Sequence, residues 1–118
     1  MSGALDSWEA ARDFALSLPG TELARSYGKP AVKVAANGRA ILGTGRETGT
    51  SFVLHIDIAT AEMLMATGPE TFWQTAHYEG HGAVLVRFDS PEPQRVRDTI
   101  RAAHEQAAAM KPVAGRKR

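Results

Sequence analysis

Two histidines and a glutamate stand at alternate positions, His77, Glu79 and His81, inside the run Phe72-Trp73-Gln74-Thr75-Ala76-His77-Tyr78-Glu79-Gly80-His81-Gly82. In an extended backbone alternate side chains share a side, so the three would project together and reach a single cation. The spacing matches no established zinc pattern, and Gly80 and Gly82 favour a bend, so the preferred reading is local hydrogen bonding with no metal. The same run offers a second chemistry. Trp73 and Tyr78 supply aromatic faces and His77 and His81 supply imidazoles, the mixture that lines a ligand pocket with a few polar contacts.

Anion recognition is the other chemistry the residues suggest. Asn37-Gly38, between Ala31 to Ala36 and Arg39 to Gly43, is a hairpin signal, because a type I′ turn needs positive φ at both central residues. The expected two-residue loop pairs Ala36 with Arg39, sets Val34 opposite Ile41 and puts Lys33 and Leu42 on the other face. Lys33 and Arg39 then flank one basic turn, and Arg46 sits in a second, glycine-rich tip running from Gly43 to Thr50. That tip superficially resembles a phosphate loop, but a P-loop opens a helix with Gly-Lys-Ser/Thr and this one opens a strand. Arg97 and Arg101, with Arg95 beside them and His104 one turn beyond, make a modest basic strip diluted by Asp98 and Glu105. On the outer face of the sheet, Lys33, His55 and Arg87 would form a small anion site if their strands are neighbours, with Asp57 as an ordinary cross-strand partner.

Catalysis has no comparable support. There is no cysteine, no Gly-x-Ser-x-Gly elbow and no recognisable carboxylate pair, so no catalytic residue and no cofactor are assigned.

The elements that would position these residues follow from periodicity. Trp8, Ala11, Phe14, Ala15 and Leu18 recur at helical spacing, with Asp6 or Ser7 to cap and Pro19-Gly20 to stop. From Ser51 to Asp57, Phe52, Leu54 and Ile56 point one way and Val53, His55 and Asp57 the other, as in a half-buried strand. Ala59 to Ala66 reads as a short helix ended near Gly68-Pro69. Ala83 to Phe88 reads as a strand with Val84, Val86 and Phe88 inward and Leu85 and Arg87 outward. A last helix after Asp89-Ser90 carries the stripe Val96, Ile100, Ala103 and Ala107 and ends near Met110 and Pro112. The expected fold class is α+β, an antiparallel sheet with N-terminal, middle and C-terminal helices packed on it.

Pro19-Gly20-Thr21-Glu22, the Asn37-Gly38 hairpin, the strand Phe52 to Asp57 with its following helix, and above all His77-Tyr78-Glu79-Gly80-His81 leading into Val84-Leu85-Val86-Arg87 resemble the MmcQ/YjbR family over roughly residues 5–110. The resemblance implies a CyaY-like fold in a double-wing arrangement, and a DNA-binding designation that the family commonly carries. It makes the Lys33/Arg39 turn and the Arg46 tip the two wings. The acidic ridge with which frataxins hold iron has no counterpart here, since Asp6, Glu9 and Asp13 are interrupted by Arg12.

Length and charge set the remaining expectations. The chain of 118 residues fits a single domain, taken as 1–110, with 111–118 as a basic flexible tail. Removing Lys111, Arg116, Lys117 and Arg118 leaves ten cations against thirteen carboxylates, not the broad positive field of a dedicated nucleic-acid domain. No apolar run approaches the roughly 20 residues of a membrane span, and acidic Asp6 and Glu9 stand where a signal peptide would be basic. Zero cysteines suit a cytoplasmic setting. The leading expectation is a small DNA-associated protein making weak phosphate contacts through Lys33, Arg39, Arg46, Arg97 and Arg101. The alternative is a small-molecule or protein-binding module using Trp73, His77, Tyr78 and His81, with His55 and Arg87 nearby.

Overall fold

The computed structural model describes residues 5–26, 28–45 and 49–113. Three helices and six strands follow in the order α1 (Trp8–Leu16), β1 (Thr21–Ser26), β2 (Lys29–Val34), β3 (Ala40–Thr44), β4 (Ser51–His55), α2 (Ile58–Thr67), β5 (Phe72–Trp73), β6 (Ala83–Arg87) and α3 (Pro93–Ala109). Ser7 caps α1, its hydroxyl accepting from the Ala10 N–H, and Thr21 Oγ1 donates to the Ala15 and Leu18 carbonyls beyond the helix end. Pro93 occupies the first turn of α3, where its missing N–H costs nothing.

All six strands join one antiparallel sheet in the order β1-β2-β3-β4-β6-β5. The β2–β3 register differs from the expected one: Val32 lies opposite Leu42 and Lys33 opposite Ala40. Ile41 is the extra residue of a bulge, so Ile41 and Leu42 both turn into the core and are fully buried. The two-residue type I′ loop gives way to a longer turn because Asn37 is used elsewhere. Its amide donates to the Ala107 and Met110 carbonyls at 2.8 and 3.0 Å, closing the end of α3. Its Oδ1 accepts from the Arg39 N–H, and its carbonyl from the Val113 N–H. The segment expected to begin the tail is therefore hydrogen-bonded to this turn as far as Val113.

The helices cover one face of the sheet. Ala11 and Ala15 of α1, Ala61 and Leu64 of α2, and Val96, Ile100, Ala103 and Ala107 of α3 bury against Val32, Leu42, Phe52, Leu54, Val84 and Val86. At about 25 cal/mol per Å² of apolar surface removed from water, this layer is the main source of stability. β4 ends at His55, and Asp57 is not a cross-strand partner. It caps α2, accepting from the Thr60 N–H and hydroxyl, and exchanges two hydrogen bonds with the Gln106 amide of α3. The aspartate leaves the ladder because the Thr60 N–H and hydroxyl at the start of α2, together with the Gln106 amide, satisfy its carboxylate in place of a strand neighbour.

Candidate functional site

The opposite face of the sheet carries one row of residues across all six strands: Ala24, Ala31, Gly43, Val53, Leu85 and Trp73. Small residues fill the β1–β3 half and large ones the β4–β5 half. Val53, Leu85 and Ala83 make a second, smaller core, with Trp73 and Tyr78 packed on it. Gly45, just after β3, lies over this patch: a Cβ on it would stand 3.0 Å from Val53 Cγ2 and 3.9 Å from the Tyr78 hydroxyl.

The segment from Ala76 to Tyr78 is a 3-10 turn, and Gly80 has φ +78°, so the backbone is not extended. The alternation of an extended backbone therefore does not apply to this segment, because a 3-10 turn advances by about a third of a turn per residue. Among the described residues no group of three or more histidines and carboxylates stands close enough to hold a metal. The His77 side chain and Arg46 lie outside the described residues. His81 is exposed, and Gln74 Nε2 ties the turn to β6 by donating to the Ala83 carbonyl at 2.6 Å.

Around the apolar row stand the charges. Lys29 and Lys33 of β2 alternate with inward Val32 and Val34 and so face outward, as does Arg87 of β6. The Arg87 guanidinium lies 4.3 Å above the Trp73 ring, a geometry in which the ring quadrupole attracts the cation. His55 also faces outward, but the anion trio is not assembled. β3 separates β2 from β4, and His55 pairs with Ala83 while Arg87 pairs with Ser51, four residues and roughly 13 Å further along β6. Burial pushes the His55 imidazole below its ordinary pKa of 6.5 and favours the neutral ring.

The other expected cations lie elsewhere. Arg39 Nε donates to the Lys111 carbonyl at 2.7 Å beside the end of α3. Arg97 and Arg101 are on the helical layer, away from Lys33: Arg97 donates to Gln94 Oε1, and Arg101 pairs with Asp98 at 3.0 Å over the Phe14 ring. His104 Nε2 bonds to the Pro19 carbonyl at 2.8 Å, which requires a proton on that nitrogen. The proposed cation set is thus split between the two layers. Sequence reasoning missed Lys29, for which the signal was present: Lys29, Ala31 and Lys33 alternate with Pro30, Val32 and Val34, but Pro30 reads as a strand breaker.

An open groove of about 340 Å³ lies between the start of α1 and the β3–β4 tip, lined by Trp8, Thr44, Gly49 and Phe88. Asp6 and Glu9 line it as well and disfavour an anionic ligand there.

No protein-family profile matches the sequence, and no curated protein is found to match it. Among solved structures the chain is similar to DR2400 of Deinococcus radiodurans, a DUF419 domain protein, with a TM-score of 0.65 and 14% identity over 97% of this chain and 96% of that one. The likeness extends over the whole α+β arrangement and concerns the fold.

Proposed function

We propose that the protein associates weakly with nucleic acid, mostly through backbone phosphates, using the outer face of the sheet. The observation that carries this reading is the charge of that face: Lys29, Lys33 and Arg87 project from its strands against one strand carboxylate, Glu22. The three cations span about 14 Å across the sheet by 13 Å along it, at the usual strand spacing and rise. This refines the surface expected from sequence, keeping Lys33, adding Lys29 and Arg87, and leaving Arg97 and Arg101, already bonded on the other layer, outside it. The DNA-binding designation comes from the MmcQ/YjbR resemblance, and the DUF419 class of the structural neighbour is related to that family. Among the described residues no helix is long and apolar enough to cross a membrane, and a cytoplasmic setting goes with this reading.

Fluorescence anisotropy of labelled duplex across a salt series tests it. Three phosphate contacts predict a slope of about −2.7 for log K against log salt. Lys33→Ala or Arg87→Ala lowers that slope by about one unit, whereas Arg101→Ala leaves it unchanged. Equal slopes for all four proteins would refute the assignment of the face.

The Trp73–Arg87 stack beside the second apolar cluster favours a second reading, a small-molecule or protein ligand held near Trp73, Tyr78 and His81. A metabolite thermal-shift screen tests it, a genuine hit being one that loses its effect in the Trp73→Ala protein.

A further inference from the structure

The geometry points to a second copy of this chain as the partner of strand β1, paired edge to edge about a two-fold axis through Leu23. β1 is the terminal strand of the sheet and, among the described residues, pairs along all six of its positions with β2 on one side only. The hydrogen-bond parity of the ladder is set by two bonds. The Ala35 N–H donates to the Gly20 carbonyl, and the Val34 N–H turns the other way, to Arg39. In an antiparallel ladder bonded and non-bonded pairs alternate, so Glu22, Ala24 and Ser26 direct their backbone groups at β2. Thr21, Leu23 and Arg25 direct theirs at the open edge.

That edge lacks the usual protections: β1 contains no proline, no lysine and no bulge. Arg25 does not shield it, because its guanidinium is turned back to the Gly28 carbonyl at 2.8 Å. Leu23 is the most exposed large hydrophobic side chain among the described residues, at 57%.

A two-fold axis perpendicular to the sheet keeps the faces of both copies aligned, so outward residues must meet outward residues. The register centred on Leu23 satisfies this. Leu23 meets Leu23 of the second copy, Thr21 meets Arg25 of the second copy, and Glu22 meets Ala24 of the second copy. The three bonded positions are the same three whose N–H and C=O groups have no partner among the described residues. No like charges stand directly opposite, and the exposed leucine is covered by itself. The result is one continuous sheet with both outer faces on the same side, which brings the Lys29 and Lys33 pairs of the two copies next to the seam.

Sedimentation equilibrium on the full chain over a rising concentration series tests this. The native mass should climb towards twice that of one chain and stop there. Leu23→Lys, which sets lysine against lysine across the axis, should stay at one chain mass. Leu23→Pro should do the same, because it removes an edge-facing N–H and none used by the β1–β2 ladder. Circular dichroism checks that both remain folded, and if the proline variant unfolds the lysine variant decides alone. A native chain that remains monomeric at its highest soluble concentration, continues beyond two copies, or associates no more than the Leu23→Lys protein overturns the proposal.

Discussion

Asn37 and Ala107, 70 residues apart in the chain, are joined by a buried hydrogen bond in which the asparagine amide closes the last turn of α3. The same amide reaches the Met110 carbonyl, so one side chain in a strand turn fixes the end of the longest helix and the segment beyond it.

Replacing Asn37 with Ala removes the amide donor from the Met110 carbonyl and leaves the Ala107 carbonyl with the Met110 N–H alone, and is expected to cost about 1–3 kcal/mol, read as a lower urea midpoint. Asn37→Asp should cost more, because a carboxylate would then face two carbonyl oxygens with no proton to offer.

Two groups give separate pH windows. The Thr60 hydroxyl and N–H hold the Asp57 carboxyl below its ordinary value of 3.8. Its contribution is therefore complete above the unfolded-state value and is lost as the pH falls below about 4. Burial lowers the His55 pKa below 6.5, so the unfolded chain takes up that proton first and stability falls as the pH drops below about 6.5. Thermal melts from pH 3 to 8 should show both slopes. Asp57→Asn should flatten the lower one and His55→Gln the upper one.

Which of these relationships were readable in advance depends on how far the deciding partner lies in sequence. Alternation placed Phe52, Leu54, Val84 and Val86 in the core and Arg87 outside, and helical spacing placed Ala11, Ala15, Val96, Ile100 and Ala103, because burial imposes local periodicity. β1 was invisible. Thr21 to Arg25 contributes no fully buried side chain, and the strand is held by the ladder of β2, which is a property of the pairing. β5 has only two residues, too few for alternation to show, although its Phe72 is fully buried. Asn37 read as a turn former since its partners in α3 are remote, and Asp57 read as a continuing strand although Thr60, three residues on, is a capping signal. For the candidate site, alternation showed that Lys33 and Arg87 face outward. That β3 intervenes, and that His55 and Arg87 lie at opposite ends of a strand pair, depended on strand order and register.

Gly82 is required by backbone contact. A Cβ there would lie 2.9 Å from the Ile56 carbonyl oxygen, across a connection in which the Ile56 N–H donates to the Gly82 carbonyl at 3.1 Å. Gly82→Ala should destabilise by about 1–3 kcal/mol, as overpacking does. Denaturant unfolding, compared with the neutral Gly49→Ala change where a Cβ meets open space, measures it.

The outer-face assignment is tested most directly by titrating the isotopically labelled full chain with duplex DNA and following amide and indole shifts by NMR. Perturbations are expected at Lys29, Lys33, Ser51, Arg87 and the Trp73 indole, fading as salt rises, with α1 and α3 undisturbed. Shifts that gather on Arg97 and Arg101, or only in the residues beyond Val113, would contradict it.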